Sequence, residues 1–501
     1  MDKIVVDSLR NLAKGAAIIS LGTFVSRLLN YAYKITVARL GAEYFGTLSL
    51  CLTLLGIVST FAFLGLRDGV KRYISFYQGK KEEEKIRSTI LSTLGLVAIS
   101  SVLLGSLLFI LADKLAVIFF HDQSSSVYIR FMAVILPFYT LNWIFIKCFA
   151  GFKKLKYRVY VYNIAENAFK IAITIILIFL GFKLWSAVLG YGFSIIMCFL
   201  LSAYFLEYRV FSVFRTRDGG RFVYKELLAF SIPLLFSGIM VLLLSWTDTL
   251  MLGYFTDVRK VGIYGAALLV SSLVFIGTDL LIPIYLPTIT ELYAQERNKE
   301  IASIFKSVNK WIFAICIPIA LLLFIFPNRI LSILFAPEYG IAYAAVIILV
   351  WGRLISALSF TSGHMLNMIK KTRIIFVVSA IATFCNVILN YMLIPRFGIN
   401  GAAAGTCISL FVQAALLVCF CNRYLSLVFL NKDFLKVAVA GLVPAIVIYF
   451  IQRNFAVSTA AFFGLAGTFG VAYLAMLYVI KAHDDNDIAV LKAALNKKRA
   501  G

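Results

Sequence analysis

The chain has 501 residues, of which 61% are hydrophobic and only 14% charged, and its mean hydropathy is +0.92. Soluble domains carry about 25% charged residues, so an ordinary water-soluble globule is excluded. A formal net charge of +24 would suit nucleic acid, but the placement of that charge argues for a membrane and no nucleic-acid partner.

Apolar stretches close to the ~20 residues that cross a bilayer recur from end to end. They predict an all-α integral membrane fold of about fourteen spans, at 13-38, 44-66, 88-111, 127-150, 160-181, 183-206, 227-252, 262-290, 305-326, 341-368, 374-394, 399-422, 434-452 and 457-480. Ahead of them, Val5, Leu9 and Leu12 share one helical face while Lys3 and Arg10 lie elsewhere, so residues 1-12 form an interfacial amphipathic segment. The amino terminus, the even-to-odd connections and the carboxyl tail hold 34 Lys or Arg, against eight on the opposite side. Positive charge is retained on the cytoplasmic face, so both termini are expected there. The eight cysteines all fall inside predicted spans and act as small apolar side chains.

The two halves match at a nearly fixed offset. Glu43–Leu48 corresponds to Arg259–Tyr264, Lys156-x-Arg158 to Lys371-x-Arg373 and Gly181 to Gly398, at offsets of 216, 215 and 217. Six spans per copy is an even number, so both copies point the same way through the bilayer. The expected plan is 6+6+2: an N-terminal lobe 13-210, an interlobe linker 211-226, a C-terminal lobe 227-425, two additional helices within 434-480, and a cytoplasmic tail 481-501, the lobes flanking a central cavity. Pro283 and Pro287 in span 8 are the candidate gating positions.

Span 1 writes a polar stripe of Ser20, Thr23, Arg27, Asn30, Tyr31 and Lys34 at steps of three and four. Span 5 repeats it with Tyr162, Asn163, Glu166, Asn167 and Lys170, the Glu standing four residues before the Lys as a helical ion pair prefers. Span 4 carries Lys147, span 10 carries Arg353 and His364, span 11 carries Asn386 and Asn390, and spans 7 and 8 supply Asp248 and Asp279. Charges at such depth face a cavity or a partner. The deep cations outnumber the acids, so an anion is the expected ligand; guanidinium forks suit phosphate, while Tyr and Asn suit sugar hydroxyls. Arg27, Lys34, Arg353, Lys170, Asn30 and Tyr31 are the candidate binding residues. Asp248, Asp279 and Glu166 are left open between charge pairing and coupling to H⁺ or Na⁺.

The run Ser26-Arg27-Leu28-Leu29, Lys34 and Ala38-Arg39-Leu40-Gly41-Ala42-Glu43-Tyr44-Phe45-Gly46 resembles the opening signature of the polysaccharide-biosynthesis flippases in the multidrug/oligosaccharidyl-lipid/polysaccharide exporter superfamily. Leu393-Ile394-Pro395-Arg396-Phe397-Gly398-Ile399-Asn400-Gly401-Ala402-Ala403 is similar to a second signature, and Gly65-Leu66 with Arg72 and Trp246-x-Asp248 are weaker matches. The resemblance covers residues 13 to about 425. It implies two six-helix lobes around a cationic cavity, alternating access, a lipid-linked anionic glycan as substrate, membrane lipids as surroundings and a functional link to glycosyltransferases in the cell membrane. The alternatives are a multidrug or cation antiporter of the same superfamily, which the cationic span 1 disfavours, and a membrane glycosyltransferase, which would use larger external loops. Nucleotide-binding, nucleophile-elbow and clustered Cys/His motifs are absent from the sequence, so no catalytic residue, metal or cofactor is expected.

Overall fold

The computed structural model describes residues 3–215, 224–425, 432–455, 458–480 and 482, with side chains of the first helix described from Gly22 onward. The interfacial segment's side chains, most of the linker and nearly all of the tail expected from the sequence lie outside the described residues. The fold is all-α. In chain order the helices are α1 (Lys3–Leu40), α2 (Ala42–Ala62), α3 (Leu66–Lys80), α4 (Glu83–Phe120), α5 (Ser126–Gly151), α6 (Leu155–Phe179), α7 (Lys183–Val210), α8 (Tyr224–Phe255), α9 (Val258–Ala294), α10 (Asn298–Ile325), α11 (Pro327–Leu334), α12 (Tyr343–Met368), α13 (Thr372–Leu425), α14 (Lys432–Asn454) and α15 (Thr459–Val479).

Eleven of the described stretches are long and apolar enough to cross a membrane, twelve with α8, whose two parts meet at 43°. The chain is a multi-pass membrane protein. α13 enters that number once although its 54 residues divide at Gly398, where φ 54 and ψ −127 leave the helical region. A side chain would be strained at such a backbone position, which glycine adopts freely. The break falls between the expected spans 374-394 and 399-422.

The backbone groups into two compact units, 1–265 with 394–399, and 266–393 with 400–501. Within the first unit, the connection expected between spans 2 and 3 is itself a helix, α3. Its Leu66, Val70, Ile74 and Tyr77 repeat at steps of three and four and are buried against α4 and α5, while Lys71, Arg72, Lys80 and Lys81 stay exposed. Gly65, at φ 73, turns the chain between α2 and α3, and the absence of a side chain there lets the turn lie against the Ser231 carbonyl of α8. A second backbone contact joins α2 to α9. A Cβ on Gly46 would collide with the Val258 carbonyl, and one on Gly262 with the Ala42 carbonyl. These two glycines are equivalent positions in the repeat noted above.

Cys51, Cys148, Cys198, Cys316 and Cys421 are buried as free thiols, in keeping with their reading as small apolar groups, while Cys419 is exposed.

Candidate functional site

The stripes of spans 1 and 5 meet in the first unit, along the contact of α1 with α6. Residues 159–165 of α6 form a π-helical stretch, which loosens the backbone ladder just before Glu166. The Asn167 amide compensates: its Nδ2 donates to the Asn163 carbonyl at 3.1 Å and to Ser26 Oγ of α1 at 3.0 Å. Asn163 Nδ2 reaches Thr23 Oγ1 at 3.5 Å. The face of α1 that docks on α6 therefore includes Thr23 and Ser26, while Tyr33 donates from its hydroxyl to the Ala187 carbonyl of α7 at 3.0 Å.

Arg27, Asn30, Tyr31 and Lys34 are half-buried on α1. One turn beyond the amide contacts, Lys170 Nζ lies 3.8 Å from Glu166 Oε1, with both side chains largely withdrawn from solvent. The Lys170 ammonium also sits 5.1 Å from the Tyr33 ring and 5.5 Å from the Tyr191 ring. Lys34 is near enough to Lys170 for the two charges to repel. Glu166 pairs with only one of these two ammonium groups, so the seam favours an anion.

Aromatic rings wall this seam on the side away from α1. Trp143 and Tyr162 lie 4.8 Å apart between centroids, and Tyr139 and Tyr162 feel the charges of both Glu166 and Arg67. Arg67 is held between the rings of Phe63, at 4.8 Å, and Trp143, at 4.4 Å. Arg67 is not among the candidate residues of the sequence stripes; the signal for it is the apolar period of α3, which marks a docked helix.

Lys147, expected to be a deep charge, donates to Asp68 Oδ1 of α3 at 2.7 Å. Burial works against ionisation of Asp68, yet the Lys147 hydrogen bond and the charges of Lys147, Arg67 and Lys71 outweigh it and hold the carboxyl below its ordinary range. Arg130 is likewise paired, with Asp113 at 2.7 Å.

Asp248 is buried on α8 and accepts a hydrogen bond from the Tyr264 hydroxyl of α9 at 2.9 Å. In the second unit, Arg353 of α12 lies 5.3 Å from the Phe275 ring, and Asp279 of α9 is half-buried. Asn386 and Asn390 are fully buried on α13; Asn390 Nδ2 donates to Asn386 Oδ1 at 3.1 Å, and Asn386 Nδ2 donates to Thr406 Oγ1 at 3.4 Å. This amide ladder ties the two parts of α13 together across the Gly398 break. His364 stacks edge-on against Phe360, in a structural setting.

Long apolar helices with buried charge on several of them define a multi-pass helical membrane protein, and the comparisons with known proteins place it in the multidrug/oligosaccharidyl-lipid/polysaccharide exporter superfamily. The chain belongs to the polysaccharide biosynthesis protein family, whose profile matches residues 12–285, and the MatE profile matches residues 233–392. It is similar to an uncharacterized membrane protein of Methanocaldococcus jannaschii, 24% identical over 78% of this chain and 80% of that one. It is also similar to a putative O-antigen transporter of Shigella flexneri, 23% identical over 75% of this chain and 90% of the other. Among solved structures, the lipid II flippase MurJ in an inward closed conformation superposes with a TM-score of 0.72 at 17% identity, covering 92% of this chain and 98% of MurJ. At that identity the likeness concerns the fold.

Proposed function

We propose that the protein is a flippase that carries a lipid-linked oligosaccharide, on a polyprenyl phosphate or diphosphate, from the cytoplasmic to the outer leaflet by alternating access. The observation that supports this most directly is the presence of cations deep within apolar spans: Arg27 and Lys34 on α1, Lys170 on α6 and Arg353 on α12. Cations gathered at membrane depth face a cavity or a partner, and their surplus over acids favours an anionic ligand. A phosphate-bearing headgroup meets them and brings hydroxyls for Asn30 and Tyr31, while the polyprenyl tail stays in lipid. The relative named as an O-antigen transporter supports the same substrate class.

In this reading the protein sits in the cell membrane with both termini cytoplasmic, supported by the 34-to-8 charge bias. Glycosyltransferases supply its substrate. Exchange of H⁺ or Na⁺ at Asp248, Asp279 or Glu166, or the membrane potential acting on cationic side chains, drives the cycle. Glu166 has Lys170 as its counter-ion, so protonation of one must be balanced by the other.

Reconstitution into liposomes with defined lipid-linked oligosaccharides tests the proposal. Arg27→Ala and Arg353→Ala should each lower translocation at least tenfold with the fold intact by thermal unfolding. Full-rate transport by both variants would overturn the cationic-site assignment.

A further inference from the structure

A cavity of about 460 Å³ opens in the first unit beside the α2–α3 turn, lined by Thr60, Phe63, Arg67 and Asp68 on one side and by Ser245 and Trp246 of α8 on the other. Its size falls within the range of about 300–1,000 Å³ typical of small-molecule sites. We propose that this cavity binds the sugar nearest the phosphate of the lipid-linked substrate together with that phosphate: a glycosyl phosphate subsite. The inference rests on the flippase reading for the ligand's attachment to lipid, but its chemistry is local.

The guanidinium of Arg67 is clamped between two aromatic faces, which fixes its plane and leaves hydrogen-bonding to its edge. Its Nε, shielded from solvent, has no hydrogen-bond partner among the described residues. A planar cation held in this way presents a fork that matches the oxygens of a phosphate. The local charge has the same sense, because Arg67, Lys71 and Lys147 surround the single carboxylate of Asp68.

The remainder of the wall has the mixture a sugar needs. Trp246 packs over Gly56 and offers an apolar face for the C–H side of a pyranose. Ser245, Thr60 and Asp68 offer hydroxyl and carboxylate partners at the rim, and Asp68 retains acceptor capacity beyond the single bond from Lys147. A bare phosphate would use the Arg67 edge and leave the indole face wet. A phospholipid headgroup would do the same, so preference for the glycosylated compound is the diagnostic property.

The test uses the full chain in nanodiscs with three probes: N-acetylglucosamine linked to geranyl diphosphate, geranyl diphosphate alone and glycerol 3-phosphate, followed by calorimetry and tryptophan fluorescence. The unmodified protein should bind the glycosylated probe at least tenfold more tightly than the other two. Arg67→Gln should lower that affinity at least tenfold. Ser245→Trp, which narrows the cavity on the side opposite Arg67, should abolish the sugar preference, and it decides the matter if Arg67→Gln proves unstable. Equal binding of all three probes by the unmodified protein, or an undiminished sugar preference in Ser245→Trp, overturns the subsite. Parallel translocation assays separate the two readings. Sugar preference without transport of any lipid-linked glycan breaks the flippase reading alone, whereas transport without sugar preference breaks the subsite alone.

Discussion

Helices α6 and α13 open on the same Lys-x-Arg motif, at Lys156 and Lys371, and each buries a polar stripe, yet they handle it in opposite ways. α6 places a full charge pair, Glu166 and Lys170, in the lobe interior beside a π-helical stretch. The corresponding part of α13 uses neutral amides, Asn386 and Asn390, closed by Thr406. Amides give directional bonds at modest desolvation cost, whereas buried ions cost more and respond to other charges. The difference suggests that α13 is built to hold and α6 to respond.

The largest expected effect lies on α6. Lys170→Met removes the ammonium nearest the Glu166 carboxylate and should destabilise the protein by about 3–5 kcal/mol, read as a lower unfolding midpoint in nanodiscs. The double variant Lys170→Met/Glu166→Gln should recover most of that loss; no recovery would mean that the pair is not the unit that matters. An intermediate effect is expected on α13, where Asn390→Leu leaves the Asn386 carboxamide without its donor and should cost about 1–3 kcal/mol. If this variant proves more damaging than Lys170→Met, the contrast between the helices is inverted.

The smallest effect concerns the outlying pair of Asp68 and Lys147. Asp68 is held below its ordinary range in the folded protein, so its stabilisation is complete above an unfolded value of about 3.9 and disappears as pH falls through the lowered folded value. Asp68→Asn should therefore lower the unfolding midpoint by the same small margin at about pH 8 and about pH 5, with the two proteins converging only in stronger acid. A margin that changed between those two pH values would assign the titration to another group.

Much of this architecture is legible in the sequence because lipid imposes simple rules. Span length, charge bias and the stripes on spans 1 and 5 follow from composition and helical period alone, and the Glu166–Lys170 pair follows from their spacing of four. What could not be read was which edge of a stripe would dock. Thr23 and Ser26 meet α6 and Tyr33 reaches α7, whereas the more conspicuous Arg27 and Lys34 make neither contact, since a stripe at steps of three and four is wider than one helix contact. Pairings across long sequence separations were also hidden: Lys147 with Asp68, Tyr264 with Asp248, and Arg67 between Phe63 and Trp143. The α3 helix was obscured because the connection that holds it, with seven Lys or Arg, has the composition of a solvated loop, although Leu66, Val70, Ile74 and Tyr77 carried its period.

Gly46 and Gly262 touch backbone to backbone and are separated by 216 residues, the same interval that relates the two halves of the sequence. A contact between equivalent positions of a sequence repeat has the form of a self-complementary interface, in which the same patch stands on both sides. Elsewhere equivalent stretches of the two halves differ, as the buried polar groups of α6 and α13 do. This position kept the same residue on both sides, because neither partner can acquire a side chain without driving the helices apart.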